Sequence, residues 1–149
     1  MESNLVTIGV VSDTHLKSKD IRFDNLVEEF FSHCNLIIHA GDLVSDEIFS
    51  DITIPFTAVR GNMDFDSKFP LKRQLNFNGV SVGVIHGYGS PFGIEKRIRR
   101  EFENVNCIVY GHTHKAHIEM IDGVLFFNPG SPFRSIWTSK QTLGYLYIE

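Results

Sequence analysis

Cysteine is nearly absent from this chain: there are two in 149 residues, Cys34 and Cys107, and they form no CxxC pair. That excludes a disulfide scaffold and a cysteine-based zinc ribbon, and it leaves both as small apolar residues of a reduced protein. Proline is sparse as well, five in all, and no Gly/Ser/Pro-rich linker, repeat or low-complexity tract interrupts the chain. No apolar run approaches the ~20 residues of a membrane span. Met1-Glu2-Ser3-Asn4 lacks the basic segment and long apolar run of a signal peptide. A soluble, cytoplasmic protein with no membrane partner is therefore expected. An excess of basic residues is also missing. The formal net charge is −4, which argues against general nucleic-acid binding, since that needs a basic field.

What is present suits a globular enzyme-sized domain. Hydrophobic residues make up 42% and charged residues 21%, which rules out a disordered or collagen-like chain. A chain of this length buries roughly 68–70% of its unfolded surface without staples, and a single domain over residues 1–149 is expected. Seven histidines stand out in the composition.

Short β-branched runs alternate with amphipathic stretches. Leu5 to Val11 is a continuous apolar run of strand length, suited to a sheet covered on both faces. Leu26, Val27, Phe30, Phe31 and Cys34 recur at helical spacing between about Ile21 and Cys34, with Asp20 or Asp24 as cap. Strands are read at Leu36–His39, Phe56–Val59 and Cys107–Tyr110, with a short capped helix from Ser45. Asn78-Gly79 joins Gln74–Phe77 to Val80–Ile85 as a hairpin, two more strands flank Asp122-Gly123, and Leu143–Ile148 closes the chain. The spacing of Ile94, Ile98 and Phe102 predicts a helix over about 91–103 with Pro91 in its first turn. Hairpins and crossovers together make this an α/β protein with mixed sheet pairing.

Chemistry gathers where the strands end. The apolar runs are followed by Asp13-Thr14-His15, Gly41-Asp42, Gly61-Asn62-Met63-Asp64, His86-Gly87 and Gly111-His112-Thr113-His114. Sites in α/β sheets collect beyond the carboxyl ends of strands. Asp13 with His15, and His112 with His114, are two apart, so an extended backbone would point each pair to one side. The seven ligand-type residues Asp13, His15, Asp42, Asn62, His86, His112 and His114 exceed one tetrahedral zinc. They suit two adjacent metals sharing a carboxylate, with Asp42 as the natural bridge, and they admit Mn, Fe, Zn, Co or Ni.

In that order, these five motifs resemble the calcineurin-like metallophosphoesterases. The Gly61-Asn62-Met63-Asp64 variant and the turn Asn128-Pro129-Gly130-Ser131 resemble the small bacterial and archaeal phosphodiesterase branch. The resemblance spans residues 6 to 134. It implies a four-layer αββα sandwich of two mixed β-sheets flanked by helices. It also implies two divalent metal ions per chain, manganese first among the candidates. Asp13, His15, Asp42 and His114 would hold one ion, and Asp42, Asn62, His86 and His112 the other. The implied activity is hydrolysis of a small phosphate ester by in-line attack of a metal-bridging hydroxide, with a diester preferred to a monoester. Asp42, Asn62 and His86 would carry the catalysis, and Asn62, Tyr88 and Arg134 would contact substrate. A homo-oligomer, dimer or tetramer, is expected from the relatives.

Two departures matter. Met63 stands where many larger relatives have a titratable histidine, and Tyr88 follows His86-Gly87 where the branch often has a second histidine. The alternative is a non-catalytic protein-binding scaffold like Vps29, a relative in which the bridging Asp is replaced by Asn; Asp42 and Asn62 are both intact here. Other features have plainer readings. His39 inside a strand reads as a buried hydrogen bonder, and His33 and His117 as surface residues. Lys96, Arg97, Arg99 and Arg100 read as a solvated helix face. Gly87 to Gly93 misses the spacing of a dinucleotide-binding loop. Specificity would reside in loops around 16–21, 64–71, 88–93 and 131–142.

Overall fold

The computed structural model describes residues 4–134 and 140–149; residues 135–139 of the last specificity loop lie outside the described residues. Among the described residues, nine strands form two sheets. The first comprises β1 (Val6–Val11), β2 (Leu36–His39), β3 (Phe56–Ala58) and β9 (Gly144–Ile148) in the order β3-β2-β1-β9. The second comprises β4 (Lys72–Phe77), β5 (Val80–Ile85), β6 (Cys107–Val109), β7 (Ala116–Ile121) and β8 (Val124–Pro129) in the order β4-β5-β6-β8-β7. Central pairings are parallel; β9, β4 and β7 pair antiparallel at edges.

Strand alternation builds three apolar layers. Ile8, Val10 and Ile38 of the first sheet meet Val82, Val84, Val109 and Phe127 of the second between the sheets. The opposite face of the first sheet, with Val11 and Ile37, packs on Phe23, Leu26, Val27 and Phe31. The outer face of the second, with Ile85, Ile108 and Phe126, packs on Ile94, Ile98 and Phe102. These layers are the expected αββα sandwich. Gly9 shows how closely one layer is fitted: a Cβ there would come within 2.5 Å of the Phe31 ring.

Both helices are shorter than their apolar spacing suggests. α1 (Ile21–Leu26) is capped by Asp20, whose Oδ1 accepts the Arg22 N–H at 2.9 Å. It passes into a π-helical turn at Val27–Phe31. α2 (Ile94–Arg99) begins after Gly93, at φ +72°, so Pro91 lies before the helix rather than in its first turn. The left-handed Gly93 makes 91–93 a turn, and Phe102 keeps its place in the core from beyond the last helical residue. Both Asn-Gly and Asp-Gly turns close as expected, with positive φ at Asn78, Gly79, Asp122 and Gly123. Among the described residues no helix is long and apolar enough to cross a membrane.

The register of the parallel strands positions the site. Val11 pairs with His39, and His39 with Ala58. In the second sheet Val84 pairs with Val109, and Val109 with Phe127. β1, β2 and β3 therefore end level, and β5 and β8 end within two residues of the row of Val109, so their following turns lie side by side.

Candidate metal centre

The turns after β1 and β2 continue their ladder. Asp13 N–H donates to the Gly41 carbonyl at 2.9 Å, His15 N–H to the Asp42 carbonyl at 3.0 Å, and Leu16 N–H to the Leu43 carbonyl at 2.9 Å. The backbone is not extended there. Asp13, His15, Asp42, His112 and His114 all have φ between +51° and +75°. Left-handed backbone costs an L-residue on the order of 1–2 kcal/mol. It is tolerated here by Asp and His, residue types enriched in that region. This corrects the expectation from spacing: Asp13 with His15, and His112 with His114, are aimed by left-handed turns, not by strand alternation.

Each buried carboxylate divides its two oxygens. Asp13 Oδ2 accepts the Ser12 hydroxyl at 2.7 Å and the His112 N–H at 3.2 Å. Its Oδ1 faces His114 Nε2 at 3.3 Å, His86 Nε2 at 3.7 Å and His15 Nε2 at 3.9 Å. Asp42 Oδ1 accepts the Met63 N–H at 3.0 Å. Its Oδ2 faces His86 Nε2 at 3.2 Å and His15 Nε2 at 3.7 Å. His86 Nδ1 donates to the Ala40 carbonyl at 2.8 Å, which turns Nε2 towards the carboxylates. One oxygen or nitrogen of each group is thus held by the chain, and the other points to a shared centre.

That centre fits a cation. Ligand atoms of Asp13, His15, Asp42 and His114 all lie within 4.8 Å of one another. Among the described residues, Asp13 Oδ1, His15 Nε2 and His86 Nε2 are buried without a hydrogen-bond partner, and orphaned polar atoms converging on one point mark an ion site. Electrostatics agree. Burial opposes charge on His86, but its contact with Asp42 and the fields of Asp13 and Asp42 prevail and push its pKa up to about 9. The adjacent Asp13 likewise raises His114. Burial works against ionisation of Asp13 and Asp42 too, yet the neighbouring imidazoles hold both carboxyls below their ordinary value. The carboxylates draw positive charge to this point, from protons or from a metal.

The remaining residues expected at the site take different positions. Asn62 and His112 line an open cleft of about 570 Å³ with His15, Asp42, Met63, Pro91, Thr113 and His114. His112 Nε2 donates to the Gly89 carbonyl at 2.8 Å, leaving Nδ1 as its free nitrogen. Tyr88 does not line that cleft; its O–H donates to Glu101 at 3.0 Å. Arg134 is exposed and is not among the cleft-lining residues.

Sequence reasoning gave Asp64 no role. It is buried, and its carboxylate collects three N–H groups: Asp42 at 2.8 Å, Gly61 at 2.7 Å and Val44 at 2.6 Å. It ties the turn after β2 to the turn after β3 and holds Val44 at φ +75°, an outlier for a β-branched residue. Its signal was an acidic residue inside a Gly-Asn turn, where carboxylates accept backbone N–H groups. Ser131 is a further support, its hydroxyl donating to the Asp13 carbonyl at 2.9 Å. Asn128 donates to the Gly111 carbonyl and to Thr113 Oγ1, so the Asn128–Ser131 turn buttresses the His112/His114 loop. His39 is fully buried, accepts the Gly41 N–H on Nδ1 at 3.1 Å and bonds Thr14 Oγ1 through Nε2 at 3.0 Å. Burial pushes its pKa down to about 3, so it stays neutral.

Two predictions follow from these supports. Replacing Asp64 by Asn puts an amide N–H₂ against backbone donors, so urea unfolding of the metal-free protein should show a loss of about 1–3 kcal/mol. Manganese affinity should fall as well, and unchanged stability and affinity would contradict a supporting role for Asp64. His39 has a folded pKa below its unfolded value, so its contribution is present above about pH 6.5 and is lost as pH falls towards 3. The stability advantage of wild type over His39→Gln should therefore shrink below pH 6.5 by up to about 1.4 kcal/mol per pH unit. A constant difference between pH 7.5 and 5 would contradict a buried neutral His39.

Comparison with known proteins points the same way. A probable metallophosphoesterase of Methanocaldococcus jannaschii is 37% identical over 130 residues, covering 84% of this chain and 67% of that protein. A phosphodiesterase of the same archaeon is 31% identical over 162 residues, covering 95% of this chain and 93% of its own. The zinc complex of Entamoeba histolytica Vps29 shares the fold at 19% identity, with a TM-score of 0.69 over 97% of this chain and 86% of that one. The family model for the calcineurin-like phosphoesterase superfamily domain matches residues 6–149. With that match over nearly its whole length, and ligand-type side chains converging at its strand ends, the chain belongs to the calcineurin-like phosphoesterase superfamily.

Proposed function

We propose that this protein is a dinuclear metal-dependent phosphoesterase that favours phosphodiesters. The observation that carries the reading is the division of labour in Asp13 and Asp42: one oxygen of each is anchored by the chain, the other directed at the same centre. Asp13, His15, Asp42 and His114 would hold one divalent ion, and Asp42, Asn62, His86 and His112 the second, with Asp42 shared. Manganese, nickel, cobalt, zinc and iron all suit this mixed ligand set. When bound, such ions supply an activated water and polarise phosphoryl oxygens.

The chain's own residues do the positioning. Ser12, the Met63 N–H and the Ala40 carbonyl fix the outward atoms of Asp13, Asp42 and His86, so the inward atoms need no reorganisation. Asn62 stands on the cleft wall beside Asp42, where its amide can contact an ester oxygen. Preference for a diester rests on what faces the cleft. Among the described residues no Lys or Arg lines it, so a monoester dianion gains no cationic side chain from them, while the single charge of a diester needs less neutralisation. Met63 has no proton to give, and the Tyr88 hydroxyl is committed to Glu101, which raises its pKa. Leaving groups that depart without protonation are therefore favoured.

A binding scaffold of the Vps29 kind is the second reading. It is supported by exposed apolar side chains at the cleft, with Met63 on its wall, Phe65 two residues on, and Phe92 next to the lining Pro91. Metal binding does not separate the two readings, because the Entamoeba Vps29 was itself solved with zinc; hydrolysis does. The protein loaded with Mn²⁺ should cleave bis-p-nitrophenyl phosphate faster than p-nitrophenyl phosphate, and Asp42→Ala should lower the rate by about 10³-fold or more. Absence of hydrolysis with Mn²⁺, Ni²⁺, Co²⁺ or Zn²⁺ would favour the scaffold.

A further inference from the structure

Beside the cleft lies a second depression of about 290 Å³, lined among others by Arg60, Asn62, Leu71, His86 and Tyr88. The two spaces share Asn62. His86, whose Nε2 faces Asp42, forms part of the second wall. An ester with its phosphate in the cleft therefore has this depression as the adjoining space for one of its substituents.

Its surfaces are held in place. The Tyr88 hydroxyl donates to Glu101, and the Tyr88 carbonyl accepts from Arg97 at 2.6 Å. The Arg97 guanidinium lies 5.9 Å from the ring centroid. Tyr88 is thus fixed on several sides and still 45% exposed as a residue, with the exposed Leu71 in the same depression. The charges are unequal. Lys72 is bound to Glu101, at 3.0 Å to its carbonyl and 3.1 Å to its carboxylate, so that pair cancels. Arg60 is exposed, and only its backbone N–H is engaged, on the Pro70 carbonyl at 2.9 Å. No hydrogen bond or ion pair from its side chain to a described residue offsets its charge. The uncompensated charge of the depression is one guanidinium, two residues before Asn62.

We propose that this depression is a subsite for the part of the diester beyond the scissile phosphate, and that it takes a second phosphate group on Arg60. A planar ring or sugar would pack on Tyr88 and Leu71. The inference rests on the phosphodiesterase reading of the cleft. A guanidinium presents paired N–H donors that match phosphate oxygens, and an exposed aromatic face accepts a base by stacking. The substrate class is a nucleotide-like diester carrying an additional terminal phosphate.

The test compares thymidine 5′-(p-nitrophenyl phosphate) with the same ester bearing a 3′-phosphate, using the Mn²⁺-loaded protein. The 3′-phosphorylated ester should show a kcat/KM at least about tenfold higher, expressed in KM, the worth of one charge-assisted contact. Arg60→Gln should abolish the preference and Arg60→Lys should keep part of it. Equal kcat/KM for the two esters in the wild type, or a preference that survives Arg60→Gln, overturns the subsite. Calorimetric binding of thymidine 3′,5′-bisphosphate against thymidine 5′-monophosphate gives a readout independent of turnover. A tenfold tighter bisphosphate, lost in Arg60→Gln, supports the subsite even if neither ester is cleaved, and then only the phosphodiesterase reading fails. Equal affinities overturn the subsite while leaving hydrolysis of simple diesters untouched.

Discussion

Two buried carboxylates brought together at the ends of neighbouring parallel strands are what the rest of this molecule is arranged around. The ligand atoms of Asp13 and Asp42 lie within 4.8 Å of each other. At an effective dielectric of about 20, two unit charges at that distance repel by about 3 kcal/mol or more. Burial adds to the cost. The chain offsets this by surrounding them with His15, His86 and His114 and by donating hydrogen bonds to one oxygen of each. Their other oxygens remain directed inward. A divalent cation relieves the repulsion more completely than protonated imidazoles can, so the arrangement favours metal for the same reason that it raises His86.

The fold makes such a juxtaposition reachable because the parallel strands end at or within two residues of a common row. Val11, His39 and Ala58 stand in one row of the first sheet, Val84, Val109 and Phe127 in one row of the second. The inter-sheet layer of Ile8, Val10, Val84, Val109 and their neighbours then sets the two rows against each other. Left-handed turns convert strand ends into inward-facing ligands. Their strain is sustained by Asp64, Ser131, Asn128 and His39, none of which needs to touch a substrate.

Much of this was legible in the sequence because it follows from pattern. Apolar runs located the strands, and polar residues placed just beyond those runs located the centre without any knowledge of pairing order. What escaped was local backbone conformation. Asp13 and His15 read as an alternating pair, but each adopts positive φ, a state that depends on hydrogen bonds from segments distant in the chain. Asp64 escaped for the same reason, since two of its three N–H partners, Asp42 and Val44, belong to a turn brought to it only by folding. α2 is shorter than its periodicity predicts although Ile94, Ile98 and Phe102 pack in one apolar layer; periodicity reports burial, and Phe102 is buried from beyond the helix. Tyr88 reads as a substrate contact, but its hydroxyl is held by Glu101, a pairing that no local pattern announces, while the residue stays exposed.

In the proposed reading, Asp13 and Asp42 hold their inward oxygens for two divalent ions. Anomalous diffraction at the manganese edge, from crystals grown with Mn²⁺, tests it most directly. It should give two peaks per chain, both in contact with Asp42, one beside Asp13 and His114 and the other beside His86. A single peak, peaks away from Asp42, or none at saturating manganese would contradict it.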